Sequence, residues 1–146
     1  SRTLRVRLNN GLIAYMKHLR AYFTKTYPLD YVTGSLYFGE TITYFPFTPK
    51  TLKEQKLKIA IVFNHQKERF EIWLAGQNKQ IQKKYWEIFK GSDWNKYHIP
   101  SSIDKGFSIV DNILVENPDF DELQLLTEQI ERQAMEFIKE IVRIIE

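Results

Sequence analysis

Residues 70–94, FEIWLAGQNKQIQKKYWEIFKGSDW, constrain this chain more than any other stretch. Phe70, Ile72 and Leu74 recur at every second position, the period of a strand with one buried face. Gly76 breaks that pattern. From Asn78 to Phe89 the spacing changes to three and four, which places Ile81, Tyr85, Ile88 and Phe89 on one side of a helix. Lys79, Gln82, Lys83 and Lys90 fall on the other side. A half-buried strand running into an amphipathic helix buries both apolar faces when the helix packs against a sheet.

The flanking segments extend this arrangement. Leu57, Ile59, Ile61 and Phe63 alternate, and a turn at 64–67 pairs them with Phe70, Ile72 and Leu74 in a hairpin. Upstream, 31–38 alternates around Gly34, and 41–47 is β-branched and aromatic. Gly39-Glu40 therefore reads as a tight turn between two more strands. Pro46 and Pro49 end the second of these and open a polar connector over 48–56. Leu12, Tyr15, Met16, Leu19, Tyr22 and Phe23 mark a helix over 11–26, started by Asn9-Asn10-Gly11 and stopped by Pro28. Residues 106–115 fit a short helix slightly better than a strand. Asn117-Pro118 reads as the entry of a long last helix, a capping side chain followed by proline. Its stripe comprises Leu123, Leu126, Ile130, Ala134, Phe137, Ile138, Ile141 and Ile145.

The predicted fold is α+β: an antiparallel sheet of about four strands in two hairpins, flanked by an N-terminal, a middle and a long C-terminal helix. Residues 9–146 read as a single domain. The chain begins Ser1-Arg2-Thr3, so 1–8 read as an expression remnant or the trimmed edge of a longer protein.

Composition narrows the chemistry. There are no cysteines, which removes disulfides, thiolate metal sites and cysteine nucleophiles and fits a reducing, cytoplasmic setting. No apolar run reaches the ~18 residues of a membrane span. Residues 1–100 carry 17 Lys/Arg against 7 Asp/Glu, whereas 101–146 carry 4 against 11. A basic body beside an acidic helix accounts for this asymmetry, and no RNA-binding signature accompanies the lysines.

Candidate chemistry is sparse. There is no G-x-S-x-G elbow, no HExxH and no calcium loop, and neither metal nor cofactor is expected. The histidines are scattered: His18 in the first helix, His65 at a hairpin turn, His98 in a loop with Trp94, Tyr97 and Ser101. Glu68 or Glu71 with Lys58 approximates a nuclease carboxylate–lysine hairpin, but the spacing is wrong. Gly76 and Lys79 stand at a strand–helix junction where an anion can bind. Strict alternation places Tyr31, Thr33, Ser35, Tyr37, Thr41, Thr43, Phe45, Lys58, Ala60, Val62, Arg69, Glu71 and Trp73 on the sheet face opposite the core. Small hydroxyls between large rings suit a pocket that stacks and orients a ligand.

The phrases TYFPFTPKTLKEQKLKIAIVFNHQKERFEIWLAGQNKQIQKKYWEIFKGSDWNKYHIP and VENPDFDELQLLTEQIE resemble a family of small bacterial proteins described as a domain of unknown function, over most of the chain between Met16 and Lys139. The resemblance implies a cytoplasmic, stand-alone protein and supplies no catalytic residues. The functional expectation is a non-catalytic module that binds a small molecule or a protein. Tyr37 and Trp73 stack, Arg69 and Glu71 pair with polar groups, Lys79 attracts an anion, and Trp94 and His98 complete the surface. The alternatives are an enzyme using His98 or Glu71 as acid–base group, and weak nucleic-acid binding through the basic body. A homodimer through the end of the C-terminal helix is the expected assembly.

Overall fold

The hairpin at the centre of the chain forms in the register its alternation predicts. A computed structural model describes residues 2–103 and 108–146. In it, Leu57–Asn64 pairs antiparallel with Arg69–Gly76, from Leu57 opposite Gly76 to Asn64 opposite Arg69. In chain order the elements are α1 (Arg2–Thr26), β1 (Tyr31–Thr33), β2 (Tyr37–Phe38), β3 (Ile42–Pro49), α2 (Lys50–Glu54), β4 (Leu57–Asn64) and β5 (Arg69–Gly76). They continue with α3 (Lys79–Gly91), β6 (Val110–Val115) and α4 (Leu123–Ile145). The sheet order is β1-β3-β4-β5-β6, with β2 beside β1 on the same edge of β3. Every strand pairing among the described residues is antiparallel, so the α+β class stands, with a wider sheet than the two hairpins alone provide.

The extra strand is β6. Residues 110–115 are extended rather than helical, while Phe107 lies outside the described residues. The reason is tertiary: β5 has a second edge of backbone donors and acceptors, and β6 satisfies them while burying Val110 and Leu114. A lone short helix offers that edge nothing.

The first predicted strand splits. Thr33 pairs with Phe47 and Tyr37 with Tyr44, so Gly34, Ser35 and Leu36 stand opposite only Phe45 and Pro46. This is a bulge of one residue. Gly34 N–H donates to the Pro46 carbonyl at 2.8 Å. A Cβ on Gly34 would sit 2.7 Å from Pro46 Cγ, so the close approach requires glycine. Pro46 therefore does not end its strand; its missing N–H faces the bulge, where no ladder partner is lost. The polar connector expected over 48–56 is likewise shorter, because β3 runs to Pro49 and α2 follows, burying Leu52.

The bulge and the β3–β4 register together decide which face each aromatic occupies. Phe45 pairs with Ile61 and Thr43 with Phe63, on the face covered by helices. Tyr31 stacks on Phe47 there at 4.3 Å. Strict alternation places Tyr31, Thr33, Thr43 and Phe45 on the opposite face; one extra residue reverses the parity between Thr33 and Tyr37, and pairing with Phe63 and Ile61 turns Thr43 and Phe45 to the core.

The helices fill this covered side. α1 buries Leu12, Tyr15, Met16, Leu19 and Phe23, and it runs through Asn9-Asn10-Gly11 rather than starting there. α4 buries Leu126, Ile130, Ala134, Phe137, Ile138 and Ile141. Glu131 ties the two helices together, accepting from Tyr22 Oη at 2.6 Å and Tyr27 Oη at 2.5 Å. α4 starts at Leu123, not at Pro118, and Asp119 Oδ1 instead accepts from Asp121 N–H at 3.0 Å in a turn. That turn lays Phe120 against Tyr15, Phe63 and Phe70, and burying the ring there outweighs an earlier helix start. Asn78 caps α3 by accepting from Ile81 N–H at 2.9 Å. Tyr85 and Phe89 are buried, but Ile88 is 53% exposed and Leu123 is 44% exposed, each at the margin of its stripe.

The core predicts alkaline sensitivity. Burial pushes the Tyr15 hydroxyl from 10.0 up to about 12, against a smaller opposing effect of its hydrogen bond to Thr127. A folded-state pKa above the unfolded one contributes stability that is complete below pH 10 and is lost as pH rises toward 12. The loss is about 2–3 kcal/mol from Tyr15 alone, and Tyr22 and Tyr27 shift in the same direction. Circular dichroism followed with tyrosinate absorbance should show cooperative unfolding in this window. Tyr15→Phe should move the alkaline midpoint upward; an unchanged midpoint would contradict the assignment.

Candidate functional site

The uncovered face of the sheet holds a cavity of about 520 Å³. Its floor comes from β5 and β6, where Trp73 pairs directly with Asp111. Its walls come from the two hairpin turns (Thr41, Ile42, Asn64, Gln66) and from the chain after α3 (His98, Pro100, Ser101, Ser102, Ser108). The hairpin turns are joined by His65 N–H donating to the Thr41 carbonyl at 3.0 Å.

Two carboxylates organise the polar groups. Glu71 is 5% exposed. Its Oε1 accepts from Trp73 Nε1 at 2.8 Å, and its Oε2 accepts from Arg69 Nε at 2.8 Å and Asn64 Nδ2 at 3.1 Å. Arg69 also reaches Glu116 at 3.4 Å. Burial opposes the Arg69 charge, but the hydrogen bonds and charges of Glu71 and Glu116 outweigh it and hold its pKa above the ordinary value. A buried carboxylate is tolerated because an opposite charge and two further donors meet it.

Asp111 forms the second knot. Ser108 Oγ donates to Oδ2 at 2.6 Å, and His98 Nδ1 lies 3.0 and 3.1 Å from the two oxygens. The backbones are paired as well: His98 N–H to the Asp111 carbonyl at 3.1 Å, and Asp111 N–H to the His98 carbonyl at 2.9 Å. With Nδ1 turned to the carboxylate, the neutral imidazole carries its proton there and leaves the Nε2 lone pair as an acceptor. Ser108 donates to Asp111 and not to His98, so these three residues do not form a serine nucleophile relay.

Of the residues singled out in the sequence, Glu71, Trp73 and His98 line this one cavity, and Arg69 joins it through Glu71. The others lie elsewhere. Tyr37 is 54% exposed, with its ring against Tyr44 at 5.3 Å, on the same sheet face but outside the cavity. Trp94 packs between Phe89 and Tyr97 on the helical side, at 5.3 and 5.6 Å. Lys79 is exposed in the first turn of α3. At that junction Gly76, Gln77 and Ile81 N–H groups already donate to Gln82, Lys56 and Asn78. His65 bonds Thr43 at 2.7 Å, and burial lowers its pKa. His18 is exposed.

Sequence reasoning missed Asp111, Asn64 and Ser108. Asp111 sits between Val110 and Asn112 in a segment read as helix, where its partnership with His98 was invisible. Reading 110–115 as a strand was the signal that would have found it, since Asp111 then alternates with core positions. Among the described residues no group of three or more His, Asp or Glu side chains is arranged to hold a metal, and no helix is long and apolar enough to cross a membrane.

No curated protein and no solved structure matches the chain. A family model matches residues 6–145, from within α1 to the end of α4, and so takes in both hairpins, the carboxylate knots and the packed core. By that match the chain belongs to the family described as Domain of unknown function (DUF7000).

Proposed function

We propose that this protein is a small-molecule binding module whose site is the cavity over Glu71, Trp73 and Asp111. One observation carries the reading: a buried, fully partnered Glu71 beneath a concavity of about 520 Å³. That volume is within the few hundred to ~1,000 Å³ of ordinary ligand sites. A sheet face with no ligand to meet could be covered with apolar residues or left to solvated lysines at lower cost than a buried ion pair. The pinned carboxylates keep indole, imidazole and hydroxyl groups in fixed positions, which reduces the ordering cost of binding.

Native mass spectrometry of the protein purified from a bacterial host tests this. The expected result is a reproducible extra mass on the wild type that is lost in Ser101→Trp, which fills the cavity from an exposed position. A bare wild type, with no resonance near the cavity moved by a fragment mixture in NMR, would overturn it.

The His98–Asp111 pair favours a second, catalytic reading, in which the Nε2 lone pair takes a proton from a bound hydroxyl or water. It predicts that the bound molecule leaves chemically changed and that His98→Gln abolishes the change while retaining binding. Release of the molecule unaltered after long incubation counts against it.

A further inference from the structure

We infer that a second surface, independent of the cavity, binds the phosphate backbone of a nucleic acid without reading its sequence: the outer side of α2 and α3.

Six lysines make this surface. Lys53 lies in α2 and Lys56 just after it, while Lys79, Lys83, Lys84 and Lys90 lie in α3. All six are exposed, and only Glu54 and Glu87 oppose them within 53–56 and 79–91. The two helices adjoin. Gln77 N–H donates to the Lys56 carbonyl at 2.9 Å, and Tyr85 Oη donates to Gln55 Oε1 at 3.0 Å. Because α3 turns Tyr85 and Phe89 into the core, its outer half is left to the lysines. At 3.6 residues per turn, Lys79, Lys83 and Lys90 fall within about 40° of one another around the axis, a single stripe of cations. A duplex carries one negative charge per ~1.7 Å of its axis, so such a stripe meets phosphates in any register.

These charges are not cancelled within the molecule. An acidic segment lying on a basic body would neutralise it by pairing. Among the described residues, however, the ion pairs that join 101–146 to the rest of the chain end on Arg69, Lys96 and His98. None reaches α2 or α3. The acids of α4 are largely committed as well, Glu131 to two tyrosine hydroxyls and Glu136 and Glu140 to Lys96. Arg132, Lys139 and Arg143 are interspersed with them, so α4 of a second copy presents a mixed face rather than an acidic one.

A membrane is the poorer match too. An interfacial helix buries a broad apolar face in lipid. Among the described residues Ile88 is the one large exposed hydrophobic side chain on α2 or α3. Phosphate neutralisation needs only cations. Lysine ammonium groups act there as point charges, and neither helix carries an arginine to grip a base edge with two hydrogen bonds. Contact with backbone and not with bases agrees with the lack of an RNA-binding signature in the sequence.

Fluorescence anisotropy of the full chain with a labelled DNA duplex of about 20 base pairs tests this. The expected result is binding at ~50 mM salt that weakens on the order of a hundredfold by ~200 mM, as about four phosphate contacts require. The triple change Lys53→Glu, Lys79→Glu and Lys83→Glu should weaken binding by about tenfold or more and lower the salt slope by about three. Lys17→Glu, Lys25→Glu and Lys139→Glu together alter the net charge equally at exposed positions of α1 and α4, and should stay within about threefold of the wild type. The neutral triple Lys53→Gln, Lys79→Gln and Lys83→Gln should fall between the wild type and its glutamate counterpart. No binding at ~50 mM salt, or an affinity indifferent to salt, would overturn the inference. Equal loss in the two glutamate triples would overturn this face and leave only overall charge. Binding to phosphatidylserine vesicles but not to DNA would overturn the partner in favour of a membrane. Self-association that the first triple abolishes, without DNA binding, would overturn it in favour of a second copy.

Discussion

Glu71→Ala is expected to lower stability by about 2–4 kcal/mol, more than any other polar substitution on the uncovered face. Removing this carboxylate strands three donors at once: the Trp73 indole, Asn64 Nδ2 and Arg69 Nε. Breaking one side of a buried pair typically costs about 3–5 kcal/mol. The estimate here is reduced because the Arg69 side chain is 21% exposed and keeps Glu116 as a second partner. Glu71→Gln should cost nearly as much, since its amide can accept from Trp73 only by turning N–H groups toward Arg69 and Asn64. By contrast, the double change Glu71→Leu with Arg69→Met should cost less than Glu71→Leu alone, because it removes the stranded charge as well. Urea denaturation of the wild type and these four variants checks this. A double variant less stable than the single one would show that Arg69 is not left unpaired by the loss.

Phe70→Ala is expected to cost about 3–5 kcal/mol, a large share of the ~5–15 kcal/mol that holds a domain of this size. Phe70 is fully buried on β5, and its ring meets Phe63 at 5.0 Å, Tyr15 at 5.9 Å and Phe120 at 6.1 Å. These three come from β4, α1 and the turn before α4, so the ring joins elements far apart in the chain. Deleting it leaves a void that rigid aromatic neighbours close poorly. Phe70→Leu should recover roughly half of the loss by restoring volume without the edge-to-face contacts. Thermal unfolding by calorimetry measures both; a Phe70→Ala loss below about 1 kcal/mol would mean the turn carrying Phe120 collapses into the space.

Much of the fold was legible because its signals are local. The β4–β5 alternation gives hairpin, register and buried face together, since seven apolar residues at alternate positions of the two strands fall on one face. The α3 and α4 stripes follow from helical period in the same way. Less of the site could be read. Glu71, Trp73 and His98 stood out as polar or amphipathic residues in apolar surroundings, and the chain does gather them. Tyr37, Lys79 and Trp94 had the same chemistry but lie outside the cavity. Residue type does not carry spatial neighbourhood, and Trp94 in particular packs on Phe89 as a core ring.

The sequence by itself determined the class of fold, the central hairpin, the existence of α1, α3 and α4 and the absence of thiol chemistry, because each depends on composition or on a period of two or 3.6 residues. Only the tertiary structure decided which face the first-strand aromatics occupy, that 110–115 is a strand, and that Asp111 meets His98 beside Trp73. The physical reason is shared. A single bulged residue at 34–36 reverses facing with little trace in composition, and an edge strand is chosen by the backbone groups it must satisfy on a partner distant in sequence.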